Sequence, residues 1–99
     1  MHVLLDELER RFAHMFAALA AGDDLPPTAR LRAEGMMEAA SIAEIASEAE
    51  VSALMQQCYR AAFGCGVEDD FGADWAEYFS FPQIPAMAKR APVYPSTSE

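Results

Sequence analysis

The 99-residue sequence has few cysteines, few basic residues and no long apolar run, and each shortage excludes a class of protein. Two cysteines are too few for the disulfide framework of a small secreted domain, so we expect a cytoplasmic protein. No apolar run approaches the roughly 18 residues that a membrane-spanning helix requires. Seven basic residues against 16 acidic ones give a net charge of −9, which repels nucleic acid and anionic membranes. The sequence therefore argues against nucleic acid and membrane as partners.

The sequence also lacks the residue patterns of common catalytic and metal-binding sites. It contains no G-x-S-x-G, phosphate-binding loop or H-E-x-x-H motif, and its two histidines, His2 and His14, are far apart. Cys58 and Cys65 do not form a C-x-x-C pair, and the acids around Asp70 do not follow the spacing of a calcium loop. We therefore expect no enzymatic activity, no metal and no cofactor.

Long helices are the main feature that the sequence does predict. No proline occurs between Thr28 and Phe81, and alanine and glutamate, which favour helices, dominate this section. Apolar residues recur at helical spacing, without the alternation typical of strands. We predict an all-α fold, a compact four-helix bundle-like single domain over residues 1–81. The expected helices cover residues 2–21, 28–46, 48–63 and 70–80.

Local signals indicate where these helices begin and end. Gly22 and Gly64 can take the left-handed conformation that ends a helix at low cost. Ser47-x-x-Glu50 has the form of a capping box, which favours a break between the second and third helices near this point. Ser41-x-x-Glu44 has the same form, and the alternative is one continuous helix that is buried all round. The first helix carries a seam of large apolar residues, which is also the candidate surface for a two-fold homodimer. The seam residues are Leu5, Leu8, Phe12, Met15 and Leu19.

The Pro-containing C-terminal segment, residues 82–99, is the most distinctive part of the sequence. Its prolines have P-x-x-P spacing, which is typical of extended peptides that dock in aromatic grooves. We expect a short extra helical turn near residues 85–89 and an extended tail. The segment is predicted to pack partly on its own domain, through Phe81 and Ile84 among others, and the alternative is that it docks on a partner. Its candidate partner-binding residues are Lys89, Arg90, Pro92, Tyr94 and Pro95.

Residues 41–60 resemble the helix-turn-helix motif of DNA-binding regulators. The match covers small and apolar positions of the motif, namely Ile45, Ala46, Ala49 and Val51. Glu50 stands at the turn position where the motif usually has glycine, and the segment that would read DNA, residues 52–58, contains no arginine or lysine. Because DNA affinity depends mainly on basic side chains at the phosphates, we interpret this region as two packed helices.

Acidic residues are concentrated in residues 65–80, which hold five acids and no base. The candidate partner-binding residues there are Asp69, Asp70, Asp74 and Glu77. These observations predict a small acidic helical protein that binds another protein, such as an adaptor, an inhibitor or an immunity-like factor. Two alternatives stay open: a helix-turn-helix-type transcriptional regulator using residues 41–60, and a protein that binds a small ligand in an apolar pocket between its helices.

Overall fold

The computed structural model describes residues 2–86, and this part of the chain contains helices and no strand. The helices are α1 (Val3–Ala20), α2 (Pro27–Ile42), α3 (Glu48–Phe63), α4 (Val67–Phe71) and α5 (Trp75–Tyr78). The prediction of an all-α fold is confirmed for these residues. The bundle of four helices is not confirmed, because three helices are long and the predicted fourth is divided into two short ones.

The first helix forms one side of the core and contacts both α2 and α3, which also contact each other. Most of its apolar seam is buried: Leu8 and Phe12 are 0% exposed, Met15 and Leu19 are nearly as buried, and Leu5 is half-buried. Because these side chains pack inside the chain's own core, the interpretation of the seam as a dimer surface was wrong. A homodimer formed through another surface stays a prediction.

The three long helices run up, down and up again. The Sγ of Cys58 on α3 lies 3.8 Å from the carbonyl oxygen of Glu9 on α1, and further along both helices the rings of Phe63 and Phe16 lie 6.1 Å apart. These two contacts show that α1 and α3 are parallel. The middle helix runs in the opposite direction. Arg30 in its first turn lines a groove with Leu19 near the end of α1, whereas Ile45, just after its last turn, lines a groove with Leu5 near the start of α1.

The second helix ends at Ile42, before the predicted end at residue 46. The N–H of Ile45 bonds to the carbonyl of Ala40 at 2.9 Å, and the N–H of Glu44 bonds to the carbonyl of Ser41 at 3.0 Å. This is the pattern of a Schellman cap, which needs a residue in the left-handed conformation. Glu44 takes that place with a φ of +58°. The predicted end of this helix was wrong because the turn begins at residue 43.

The third helix covers the residues that the sequence predicted, 48–63. The N–H of Glu50 donates to the Oγ of Ser47 at 3.1 Å, and the N–H of Ser47 donates to the carboxylate of Glu50 at 2.8 Å, so the capping box is formed. The hydrogen bond from the backbone N–H of Ser47, together with hydrogen bonding by the Ser47 side chain, holds the pKa of the Glu50 carboxyl below its usual range. Gly64 ends the helix with a φ of +76°.

The helix predicted over residues 70–80 is in fact two short helices, α4 and α5. The first begins at Val67, earlier than predicted, where the carboxylate of Asp69 accepts a hydrogen bond from the N–H of Gly66 at 2.8 Å. Gly72 then takes a φ of +99°, which ends α4 before the aromatic residues of α5. The prediction of one continuous helix was therefore wrong.

Residues 81–86 pack on the core of the three long helices. Ile84 is 2% exposed, Pro85 is fully buried and Phe81 is partly buried. The prediction that Phe81 and Ile84 pack on the chain's own helices is confirmed. Pro85 and Ala86 are not helical. The rest of the predicted helical turn and the extended tail lie outside the described residues, as do Lys89, Arg90, Pro92, Tyr94 and Pro95.

Candidate functional site

The acidic segment at α4 and α5 contains the candidate partner-binding residues of the described part of the chain. Two of its acids make local contacts. The carboxylate of Glu68 lies 3.4 Å from the guanidinium of Arg60 on α3, and Asp69 caps α4 through the N–H of Gly66. These interactions attach α4 to the end of α3, so neither carboxylate is fully available to a partner.

Asp70 connects the same segment to the core. Its carboxylate accepts a hydrogen bond from the hydroxyl of Tyr59 at 2.5 Å, and the Sγ of Cys65 lies 3.5 Å away. Tyr59 is 2% exposed and stacks on Phe63 with ring centroids 4.3 Å apart. Burial, together with the hydrogen bond to Asp70, raises the pKa of Tyr59 well above its usual range. Asp70 therefore has a structural role in holding α4 against α3.

The two remaining acids, Asp74 and Glu77, are exposed at the start of α5. Their carboxylates make no hydrogen bond or ion pair with any residue between 2 and 86. Next to them, Tyr78 is 70% exposed, a large fraction for an aromatic side chain. Of the five acids in this segment, three therefore make contacts within the chain. The other two, Asp74 and Glu77, are exposed to solvent next to the Tyr78 ring.

The region that resembles a helix-turn-helix motif has a different turn from the one expected. Glu50, assigned to the turn position, lies inside α3, and the left-handed glutamate is Glu44. In DNA-binding proteins of this type, the first residues of the second helix contact the bases. Here that helix begins with Glu48 and Glu50, both exposed, so its first turn presents negative charge.

The basic residues of the described part of the chain do not form a positive surface. Four of its five arginines are paired with carboxylates, which leaves only Arg32 without such a pair among residues 2–86. Arg10 and Arg11 both contact Glu7, Arg30 contacts Glu34 and Arg60 contacts Glu68. The described residues therefore form no contiguous positive ridge beside residues 52–58.

An apolar pocket lies between α2, α3 and the segment from α5 to Gln83. The sequence offered a pocket between helices as an alternative but did not identify the residues that line it. The pocket has a volume of about 220 Å³. Its aromatic residues occur close together in the sequence, and that clustering was the available signal. The tertiary fold brings these aromatic residues next to α2 and α3, and the sequence does not show that contact. The residues lining the pocket include Met37, Glu48, Met55, Trp75, Phe79 and Phe81.

The remaining candidate groups of the sequence are accounted for by the core and the surface. Cys58 is buried, and burial raises the pKa of its thiol. His14 is exposed in a groove beside Arg10 and Arg11. No three His, Cys, Asp or Glu side chains within residues 2–86 are grouped so that they could hold a metal ion.

Comparison of the chain with protein-family models, curated proteins and solved structures finds no match. In the part of the chain that the structure describes, no helix combines the length and the apolar character needed to cross a membrane. The geometry of the chain itself is thus the basis for a functional assignment.

Proposed function

We propose that the protein is a non-catalytic, cytoplasmic protein–protein interaction module that binds a basic partner through α5. The binding surface consists of Asp74, Glu77 and Tyr78, which we call the α5 surface. The observation that carries this proposal is the exposed Tyr78 ring beside two carboxylates that have no partner among the described residues. As a further proposal, the tail residues that the sequence identified also contact the partner. They are Lys89, Arg90, Pro92, Tyr94 and Pro95.

The chemistry of the α5 surface supports a protein partner. Tyrosine combines a large apolar ring with a hydroxyl group and is enriched among the residues that dominate interface energies. Two adjacent carboxylates attract lysine and arginine, increase the association rate and disfavour acidic partners. Because the net charge is −9, the field of the whole chain adds to this attraction.

Site-specific photo-crosslinking in the source cells tests the proposal. A photoreactive amino acid is placed at position 78, and the matched control carries it at position 31, where Leu31 is 56% exposed on α2. We expect a discrete crosslinked protein from position 78 and none from position 31. The same proteins captured from both positions, or from neither, would contradict the proposal.

The charge contribution is measured with the captured partner and purified protein. Asp74→Asn/Glu77→Gln should weaken binding by about three- to tenfold, as expected for two exposed ion pairs. Asp23→Asn/Glu38→Gln removes the same charge from exposed positions elsewhere and should change affinity less than about twofold. Equal losses in both variants would assign the effect to net charge and refute a specific role for the α5 surface.

A truncation tests the part of the proposal that concerns the tail. It should end at Ala86, because Ile84 and Pro85 belong to the core and their removal would also destabilise the fold. If Lys89, Arg90, Pro92, Tyr94 and Pro95 extend the binding surface, the truncated chain binds the captured partner more weakly. Unchanged affinity would restrict the surface to α5.

A further inference from the structure

A second surface, the apolar pocket between α2, α3 and the segment from α5 to Gln83, is lined mainly by aromatic rings and methionines. Met37 and Met55 are each 1% exposed and form its floor, and Trp75, Phe79 and Phe81 are half-buried around it. We call these three rings, with the two methionines, the aromatic pocket. The exposed carboxylate residue Glu48 also lines it.

The chemistry of the aromatic pocket selects the charge of a ligand. The faces of aromatic rings carry negative potential and attract cations, most strongly in the case of tryptophan. Methionine sulfur is polarisable and adapts to an irregular apolar group. Glu48 disfavours an anion, and none of the described residues that line the pocket is basic. A ligand group that satisfies all of these contacts is both positively charged and covered by apolar atoms.

The aromatic pocket lies beside the N-terminus of α3, but this location does not reverse its preference for a cation. A helix N-terminus carries partial positive charge, which disfavours a cation nearby. The first turn of α3 contains Glu48 and Glu50, however, and each carries a full negative charge against the half charge of the helix dipole. The local field therefore remains favourable to a cation.

The size of the aromatic pocket limits the ligand to a small group. Its volume of about 220 Å³ lies below the roughly 300–1,000 Å³ of pockets that hold drug-sized molecules. We propose that the aromatic pocket binds the quaternary ammonium head group of a small molecule. This ligand site uses different residues of α5 from the α5 surface, and it does not depend on the proposed interaction with a protein.

Solution NMR of the complete protein tests this proposal directly. Trp75 is the only tryptophan, so its indole N–H gives one assignable signal. Isotope-labelled methyl groups of Met37 and Met55 report ligand binding at the floor of the pocket. The ligands are choline and its neutral isostere 3,3-dimethylbutan-1-ol, at constant ionic strength. We expect choline to shift the signals of Trp75, Met37 and Met55 saturably, and to leave the buried Met15 of α1 unchanged.

The comparison between the two ligands separates a cation site from a merely apolar one. Choline should bind at least about fivefold more tightly than the isostere, because only choline gains the cation–aromatic interaction. Equal affinities of the two ligands would overturn the proposal. So would the absence of saturable shifts, or shifts of Met15 as large as those of Met37 and Met55.

Three variants locate the interaction within the aromatic pocket. Phe81→Leu keeps an apolar side chain and should weaken choline binding by about fivefold, with Trp75→Leu as a second variant if the first perturbs the fold. Glu48→Gln should weaken it by about threefold. Asp23→Asn, which removes one charge from the α1–α2 connection, is the matched control and should leave binding unchanged. Unchanged affinity in both aromatic variants would also refute the assignment.

Discussion

Glu34 on α2 is the residue on which the docking of the C-terminal segment depends most directly. Its carboxylate accepts a hydrogen bond from the N–H of Ile84 at 2.8 Å and another from the guanidinium of Arg30 at 2.9 Å. The Glu34 side chain is 12% exposed, and Ile84 is 2% exposed. We therefore predict that Glu34→Ala destabilises the protein by leaving the N–H of Ile84 buried without an acceptor.

The expected size of this effect follows from the two hydrogen bonds. A buried donor without an acceptor costs about 1–3 kcal/mol, and a bond to a charged acceptor lies toward the upper end of that range. The ion pair with Arg30 adds no more than about 0.5 kcal/mol, because the Arg30 side chain is 37% exposed. The better helix propensity of alanine offsets a few tenths of a kcal/mol. We expect the free energy of unfolding to fall by about 2–3 kcal/mol.

Urea unfolding followed by circular dichroism measures this difference. The matched control is Glu38→Ala, which makes the same substitution on the same helix at an exposed position. It should change the free energy of unfolding by less than about 0.5 kcal/mol. Hydrogen exchange of the Ile84 amide should also become faster in Glu34→Ala, while amides in the middle of α1 remain protected. Unfolding energies of the two variants that agree within about 0.5 kcal/mol would refute the reasoning.

Two further predictions concern the turn before α3 and the contact between α3 and α4. Glu44→Gly should raise the free energy of unfolding by up to about 1 kcal/mol, because glycine adopts the left-handed conformation of the Schellman cap without the steric cost. A loss of stability in urea unfolding would contradict this. Tyr59→Phe should lower stability by about 1–2 kcal/mol at pH 7, because it removes the hydrogen bond to Asp70. The pKa of Tyr59 is raised in the folded state, so its contribution is present below the unfolded pKa of about 10 and is lost as pH rises above it. Thermal unfolding at pH 7 and pH 11 should therefore show a larger drop in Tm for the natural chain than for Tyr59→Phe, and equal drops would refute this.

The helices that the sequence predicted best are those in which large apolar residues and caps agree. The third helix has a capping box at Ser47, a terminal glycine at Gly64 and a buried stripe that includes Val51 and Met55. Each of these signals depends on residues within a few positions of one another. Such local signals are present in the sequence whatever the tertiary fold, so the limits of this helix could be predicted.

The second helix shows why other features could not be predicted. Its large residues Leu31 and Ile42 are 56% and 75% exposed, whereas Ala33 and Ala40 are 0% exposed. Ala33 and Ala40 belong to the buried face of α2, and which face is buried is decided by the neighbouring helices of the assembled core. Met37 is also buried, so large apolar residues lie on both sides of α2, and a pattern based on them alone does not identify its buried face.

The candidate site was predictable as a segment but not as a surface. The sequence identifies five acids in residues 65–80, and all of them have the same formal charge. What distinguishes Asp70 from Asp74 is the hydroxyl of Tyr59, which comes from another helix and reaches one carboxylate but not the other. The net charge of the segment therefore overstates the charge that a partner can use. Binding should depend on which carboxylates lack internal contacts, so substitutions at Asp74 and Glu77 should affect affinity, whereas substitutions at Asp69 and Asp70 should affect stability first.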